Sequence, residues 1–233
     1  MTDQTRKSIT TLFFDVNETL LDIQPLKQFL VDNLSATPEV ADAWFTSLLH
    51  FSLVDAISGN WHPFGDIAEA VLAMTAGKYG LKPGHVSGTI SEALATLPAH
   101  ADVPAGLESL KYAGLKLVAL SNSSQSLVER QLTYAGIRPF FDDVLSVANL
   151  RTYKPDLTVY QWALRTQGAQ AEQAMMVAAH GWDVGGAKLA GLKTAFVARP
   201  GQQLYPLAPE PDLVVADVSL LPEALATLSR AEM

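Results

Sequence analysis

The sequence predicts an α/β protein, a doubly wound parallel sheet whose first strand is parted from the rest by an inserted helical cap. Three observations carry that reading. A short apolar run, Thr10–Asp15, ends abruptly in a carboxylate. A long block from Pro25 to about Pro98 repeats apolar residues at helical spacing. Beyond Pro104, strand-like and helix-like segments alternate, the pattern of a parallel sheet covered on both faces.

Taken in order, the first strand is the β-rich TTLFFD run. The cap is expected over 22–98, and the core over 1–21 and 99–233. In the cap, Leu26, Phe29, Leu30 and Leu34 form one stripe, Val40, Trp44, Leu48 and Phe51 a second, and Ile67, Val71 and Met74 a third. Pro38, Pro63 and Pro83 stand where helices can begin. Further strands are expected at Leu115–Leu120, Val144–Val147, Ala174–Ala178, Thr194–Ala198 and Leu213–Ala216. Helices fit between them, near 104–113, 125–135, 156–167 and 183–190. The tail, Gly201 to Met233, carries three prolines, then a strand and a last helix that complete the core.

Bulk properties narrow the chemistry. The chain has 233 residues, 24 acidic against 16 basic groups, a net charge of −8 and no cysteine. The acidic balance disfavours binding to nucleic acid or to anionic lipid. Lack of cysteine removes disulfides, thiolate metal sites and a thiol nucleophile. Met1 to Lys7 is polar, and no stretch approaches the roughly 18 unbroken apolar residues of a membrane span, so a cytoplasmic location is expected.

In doubly wound sheets ligands bind beyond the carboxyl ends of the strands. Those ends carry Asp15, Ser121–Asn122, Lys154 and the stretch His180–Asp183. A carboxylate there can attack an electrophilic carbon and split a hard substitution into two easier steps. Lys154 can keep it ionised. Thr19 and Ser121 offer hydroxyls to orient carboxylate and substrate. Asn122, beside backbone N–H groups at a helix start, can hold a substrate carboxylate. Asp183 can hold Lys154 or position the water that opens an ester. Each residue also has a plainer reading: Asp15 and Asp183 as caps, Ser121–Asn122 as a helix N-cap, Lys154–Pro155 as a solvated loop, Trp182 as packing.

Asp15-Val-Asn-Glu-Thr19-Leu, Leu-Ser121-Asn122, Tyr153-Lys154-Pro155-Asp156 and His180-Gly-Trp182-Asp183 resemble the four ordered motifs of the haloacid dehalogenase superfamily. Its type II 2-haloacid dehalogenase branch is the nearest in pattern, over about residues 10 to 200. The resemblance implies a Rossmann-like core, a helical cap, an aspartyl-ester intermediate on Asp15, and a small carboxylic acid as substrate. It also implies no cofactor and a homodimer as the common assembly. The residues assigned to catalysis are Asp15, Thr19, Lys154, His180 and Asp183. Those assigned to the substrate are Asn17, Ser121, Asn122, Phe45, Tyr160 and Trp182.

Most of the superfamily transfers phosphoryl groups, with a second Asp two residues after the nucleophile and an acidic Mg²⁺ ligand four residues before the last motif Asp. This chain has Asn17 and Ala179 there, which removes the acid and one ligand of an ion that wants several oxygens. A Mg²⁺-dependent phosphatase or phosphonatase, and a non-catalytic domain on the same fold, remain as alternatives. Against the dehalogenase branch the chain also departs: Asn17 stands for a Tyr, and Phe45 for the cap Arg that helps hold halide and substrate. Ala178-Ala179-His180 stands for Ser-Ser-Asn. Lys27, Lys78 and Lys82 do not fall at the Arg position in sequence. A strained-ring acid such as azetidine-2-carboxylate is therefore a second substrate class. His180, with an ordinary pKa of about 6.5, suits a general base for the hydrolytic water; the alternative is a neutral imidazole orienting Lys154 or Asp183. His50 and His62, with Trp44, Trp61 and Phe64, either line the cap side of the pocket or pack the cap core.

Overall fold

The computed structural model describes residues 8–86 and 88–231; the polar start Met1 to Lys7 and the last two residues lie outside it. Six strands form one parallel sheet: β1 (Thr11–Phe14), β2 (Lys116–Ser121), β3 (Asp143–Ser146), β4 (Ala174–Ala178), β5 (Lys193–Val197) and β6 (Leu213–Val215). Their order is β3-β2-β1-β4-β5-β6. Every pairing is parallel. β1 and β4 are buried along their whole length, as strands covered by helices on both faces must be. The strand order reverses between β1 and β4, so the crevice of the sheet opens where Asp15 and His180 follow those strands.

Between β1 and β2 lie α1 (Gln24–Leu34), α2 (Pro38–Ser58), α3 (Phe64–Lys78), α4 (Ile90–Ala95) and α5 (Val103–Tyr112). Pro38 opens α2 and Pro63 caps α3. The first two stripes face inward through Leu26, Leu30, Trp44 and Leu48, and the Trp44 indole donates to Ala68 O at 3.0 Å. Met74, expected on the third stripe, is instead exposed, because α3 turns Val71, Leu72 and Thr75 inward there. α2 is long and apolar enough, by composition alone, to cross a membrane; here its buried residues pack in the cap. Beyond β2 come α6 (Gln125–Tyr134), α7 (Leu157–Gln167), α8 (Gly181–Leu189) and α9 (Leu221–Ala231). α8 starts two residues earlier than its apolar pattern indicates, so Asp183 sits within its first turn rather than capping it.

The two chain segments that join the helical insertion to the sheet run side by side. Leu21 pairs with Ala99, Asp22 N donates to Pro98 O, and His100 N donates to Leu20 O. A buried guanidinium pins this hinge: Arg199 donates from Nε and Nη2 to Thr19 O at 3.1 and 2.9 Å. It also grips Asp102, at the start of α5, from Nη1 at 2.6 Å and Nη2 at 3.0 Å. Asp102 accepts Val218 N as well. Removing one partner of such a pair strands the other charge. Asp102→Ala is expected to lower unfolding free energy by about 3 kcal/mol in urea titration; a loss below about 0.5 kcal/mol contradicts this role for the pair.

Candidate active site

Asp15 follows β1 directly, its amide donating to Val177 O of β4. The chain then turns tightly, with Leu20 N and Leu21 N both donating to Val16 O. Glu18 takes a left-handed conformation, φ 63°, within that turn. This brings Thr19 back beneath the carboxylate: its hydroxyl donates to Asp15 Oδ2 at 2.6 Å and accepts Ala179 N at 2.9 Å.

Around Asp15 the ionised groups alternate in sign. Lys154 Nζ, fully buried, lies 2.7 Å from Asp15 Oδ1 and 2.6 Å from Asp183 Oδ2, and donates also to Leu120 O. Tyr160 closes that end, its hydroxyl donating to Asp183 Oδ1 at 2.6 Å. On the other side His180 Nδ1 lies 3.0 Å from Asp15 Oδ2, and its Nε2 lies 2.8 Å from Glu18 Oε2. Lys27 Nζ, reaching from α1, is 3.8 Å from Glu18 Oε1 and 2.9 Å from Asp42.

The electrostatics follow from this order. Burial pushes the Asp15 carboxyl up, but the Lys154 charge and the His180 hydrogen bond outweigh it and hold Asp15 well below the usual carboxylate range. Burial works against charge on Lys154 also, and the two carboxylates reverse that, raising it. Asp183 is raised, by burial first, and Asp15 pushes it further up against the pull of Lys154. Burial lowers His180, yet hydrogen bonds to Asp15 and Glu18 raise it to about 9.

Two expectations change here. His180 does not orient Lys154 or Asp183: its two nitrogens lie against the carboxylates of Asp15 and Glu18, which raise its pKa above that of an ordinary imidazole. Tyr160, grouped with the substrate residues, is fully buried with its hydroxyl on Asp183, so it supports the Lys154 anchor instead. Little space allows this packing: a Cβ on Gly186 would meet Pro155 Cβ at 2.5 Å and the Tyr160 hydroxyl at 3.0 Å.

The remaining candidates sit around the carboxylate. Ser121 Oγ accepts Ser123 N. Asn122 Oδ1 accepts Lys154 N at 3.1 Å, leaving its Nδ2 without a protein partner among the described residues. Asn17 Oδ1 accepts from Gln131 Nε2 at 2.9 Å, and its Nδ2 donates to Ser123 Oγ at 3.4 Å. Trp182 stacks on His180, centroids 5.0 Å apart. Asn122, Lys154 and Trp182 meet Leu49, Ser52 and Leu53 of α2 around a gap of about 10 Å³, roughly room for one water. Phe45 is buried beside Trp44. Lys27 Nζ lies 5.9 Å from its ring centroid, so a cation does reach the Phe45 position, from α1. His62 pairs with Asp55 on the cap exterior and His50 packs edge-on to Phe51. Phe64 touches Tyr153 at the seam with the core, while Trp61 stacks with Arg151.

Glu18 and Gln131 are site residues that the sequence reading did not single out, and Lys27 is one that it set aside for its position in the chain. Mg²⁺, which the wider superfamily uses, does not suit these donors. The Asp15 and Asp183 oxygens already bind Lys154, Thr19, His180 and Tyr160, and the position of a further acidic ligand is Ala179. No group of three or more His, Asp or Glu among the described residues could hold a metal.

The haloacid dehalogenase-like hydrolase family model matches residues 77–197. The (S)-2-haloacid dehalogenase of Pseudomonas sp. (strain YL) is 29% identical over 190 residues, 81% of this chain and 82% of that protein. (S)-2-haloacid dehalogenase 1 of Pseudomonas sp. (strain CBS-3) is 26% identical over 95% of this chain and 99% of its own. The structure of L-2-haloacid dehalogenase from Xanthobacter autotrophicus with chloropropionic acid covalently bound superimposes with a TM-score of 0.87. It shares 26% identity and covers 94% of this chain and 98% of that one.

A folded-state pKa raised from about 6.5 to about 9 stabilises the fold fully below pH 6.5 and loses that contribution as pH climbs through 9. Between pH 6.5 and 9.5, wild type is expected to lose on the order of 2 kcal/mol more unfolding free energy than His180→Gln. Equal losses in the two proteins contradict the assignment.

Proposed function

The chain belongs to the haloacid dehalogenase-like hydrolase family, and from that premise we propose that it hydrolyses small (S)-2-halocarboxylic acids through an ester on Asp15, without a metal. The observation that carries the reading is a carboxylate held ionised by Lys154 at the crevice of the sheet, with Ala179 where a metal ligand would stand.

In the first step Asp15 attacks C2 of the acid and the halide departs with the bonding electrons, inverting that carbon. Thr19 and Lys154 hold the carboxylate at a fixed angle, which supplies orientation without reorganisation. The free Nδ2 of Asn122 supplies a hydrogen-bond donor, and the Lys27 ammonium near Phe45 a positive charge, for the substrate carboxylate and the halide. Charge is conserved through this step: the substrate brings one carboxylate as the Asp15 charge is spent in the ester.

In the second step water attacks the Asp15 carbonyl carbon. His180 changes role here. Once Asp15 is an ester it no longer presents a full negative charge to Nδ1, and the imidazole pKa falls back toward its ordinary range. Its Nδ1 proton, no longer held by a carboxylate, passes to solvent water; the neutral ring, its Nε2–H held by Glu18, then takes the proton of the attacking water at Nδ1. The gap of about 10 Å³ that Leu49, Ser52, Leu53, Asn122, Lys154 and Trp182 line is too small for a three-carbon acid, so a substrate placed there requires α2 to shift from Lys154 and Trp182.

The test is halide release from (S)- and (R)-2-chloropropionate, with and without EDTA. Release from the S enantiomer, indifferent to EDTA and at least about a thousandfold lower in Asp15→Asn, is expected. Loss of activity in EDTA, or turnover surviving in Asp15→Asn, contradicts the reading. Gly186→Ala, which crowds Tyr160, is expected to lower kcat by about tenfold by loosening Asp183 and Lys154; unchanged kinetics would show that this support is dispensable.

A further inference from the structure

We propose that Trp182 is a positioning residue for the second step of the reaction, its indole face keeping His180 Nδ1 aimed at the attacking water once the ester has formed. The inference rests on His180 acting as the base in the reading above and names what holds it for that task.

In the resting site the imidazole has two polar anchors, Asp15 Oδ2 at 3.0 Å from Nδ1 and Glu18 Oε2 at 2.8 Å from Nε2. Alkylation takes the first away, because Asp15 becomes a neutral ester that no longer draws the ring toward it. A single hydrogen bond is one point of attachment, about which a planar ring can still turn. The second step depends on the ring's direction. A water O–H bond must break toward the lone pair of Nδ1, in the plane of the ring, as the oxygen bonds to the Asp15 carbonyl carbon. The substrate oxygen takes that proton as its bond to this carbon breaks, and the new Asp15 carboxyl returns its own proton to Nδ1. The proton lost to solvent beforehand is the one that the overall hydrolysis releases.

Trp182 provides a constraint that alkylation does not touch. Its ring stacks on the imidazole with centroids 5.0 Å apart and planes 27° from parallel. A contact across the face resists tilting of the ring, which a hydrogen bond at its edge does not. The backbone between the two rings is itself wedged in place. A Cβ on Gly181 would meet Gln203 O at 2.5 Å, Tyr205 N at 2.7 Å and Leu204 Cα at 2.8 Å. The chain at 181 therefore lies tight against the segment 203–205, and His180 and Trp182 flank a fixed point. The first turn of α8 adds to this, with Asp183 N and Val184 N both donating to His180 O. The same indole lines the gap of about 10 Å³ with Leu49, Ser52 and Leu53 of α2, so one side chain borders the substrate's space and holds the base.

Halide release before the steady state, with intact-mass spectra of the protein, separates alkylation from ester hydrolysis on (S)-2-chloropropionate. Trp182→Leu is expected to slow ester hydrolysis about tenfold, more than it slows alkylation, so that the alkylated protein accumulates. Trp182→Phe, which returns an aromatic face, is expected to bring ester hydrolysis back to within about threefold of wild type. In a His180→Gln background, where no base remains to be aimed, Trp182→Leu is expected to slow ester hydrolysis no further. Equal slowing of both steps, a phenylalanine no better than leucine, or an effect of the same size without His180 overturns the role of the stack and leaves the base reading standing. Ester hydrolysis unchanged in His180→Gln alone overturns the base reading, and this inference with it.

Discussion

A single buried ammonium organises this site. Lys154 lies between the carboxylates of Asp15 and Asp183, at 2.7 and 2.6 Å, with no exposure to solvent. Desolvating three charges is expensive, and the attraction among them offsets that only where the geometry is good and the leftover lone pairs find partners. Those partners are what much of the surrounding chain provides. Thr19 and His180 take the second oxygen of Asp15, Tyr160 takes that of Asp183, and Leu120 O accepts from the ammonium itself. The tight turn after β1, the first turn of α8 and the glycine at 186 all serve to bring these groups into range.

The charges continue outward from that centre. Glu18 compensates His180, and Lys27 compensates Glu18, so cations and anions alternate from Lys27 of the cap to Asp183 of α8. Within this string Asp15 is held low and Lys154 and His180 are held high, each toward its charged form despite burial. The string also makes each member responsive to its neighbours: neutralising Asp15 as an ester removes the partner that keeps His180 protonated. In the proposed mechanism this response turns an acid into a base at the moment a base is required.

The sheet and its helices were legible in the sequence because each rests on local pattern. Apolar runs such as Ala174–Ala178 have few other ways to be buried, and Asp15, Asn122 and Asp183 follow strands or open helices as their spacing indicates; Lys154, expected just after a strand, lies instead in the loop before α7, beyond a 3-10 turn that follows β3. The roles of His180 and Tyr160 were not legible, since they depend on which atom faces which across the fold. His180 reads as an ordinary imidazole until Glu18, forced left-handed by the turn, is seen against its Nε2. Lys27 lies far in sequence from Phe45, and only the packing of α1 on α2 brings its ammonium over that ring. Glu18 left one faint signal: a charged residue inside a motif whose neighbours all have assignments.

The central claim, an ester on Asp15 opened at its own carbonyl carbon, is tested most directly by single-turnover reaction in H₂¹⁸O with enzyme in excess over 2-chloropropionate. Incorporation of ¹⁸O into the peptide that contains Asp15, with an unlabelled hydroxyl in the product, is the predicted result. Label in the product hydroxyl and none in that peptide would mean that water attacks the substrate directly, and would contradict the account.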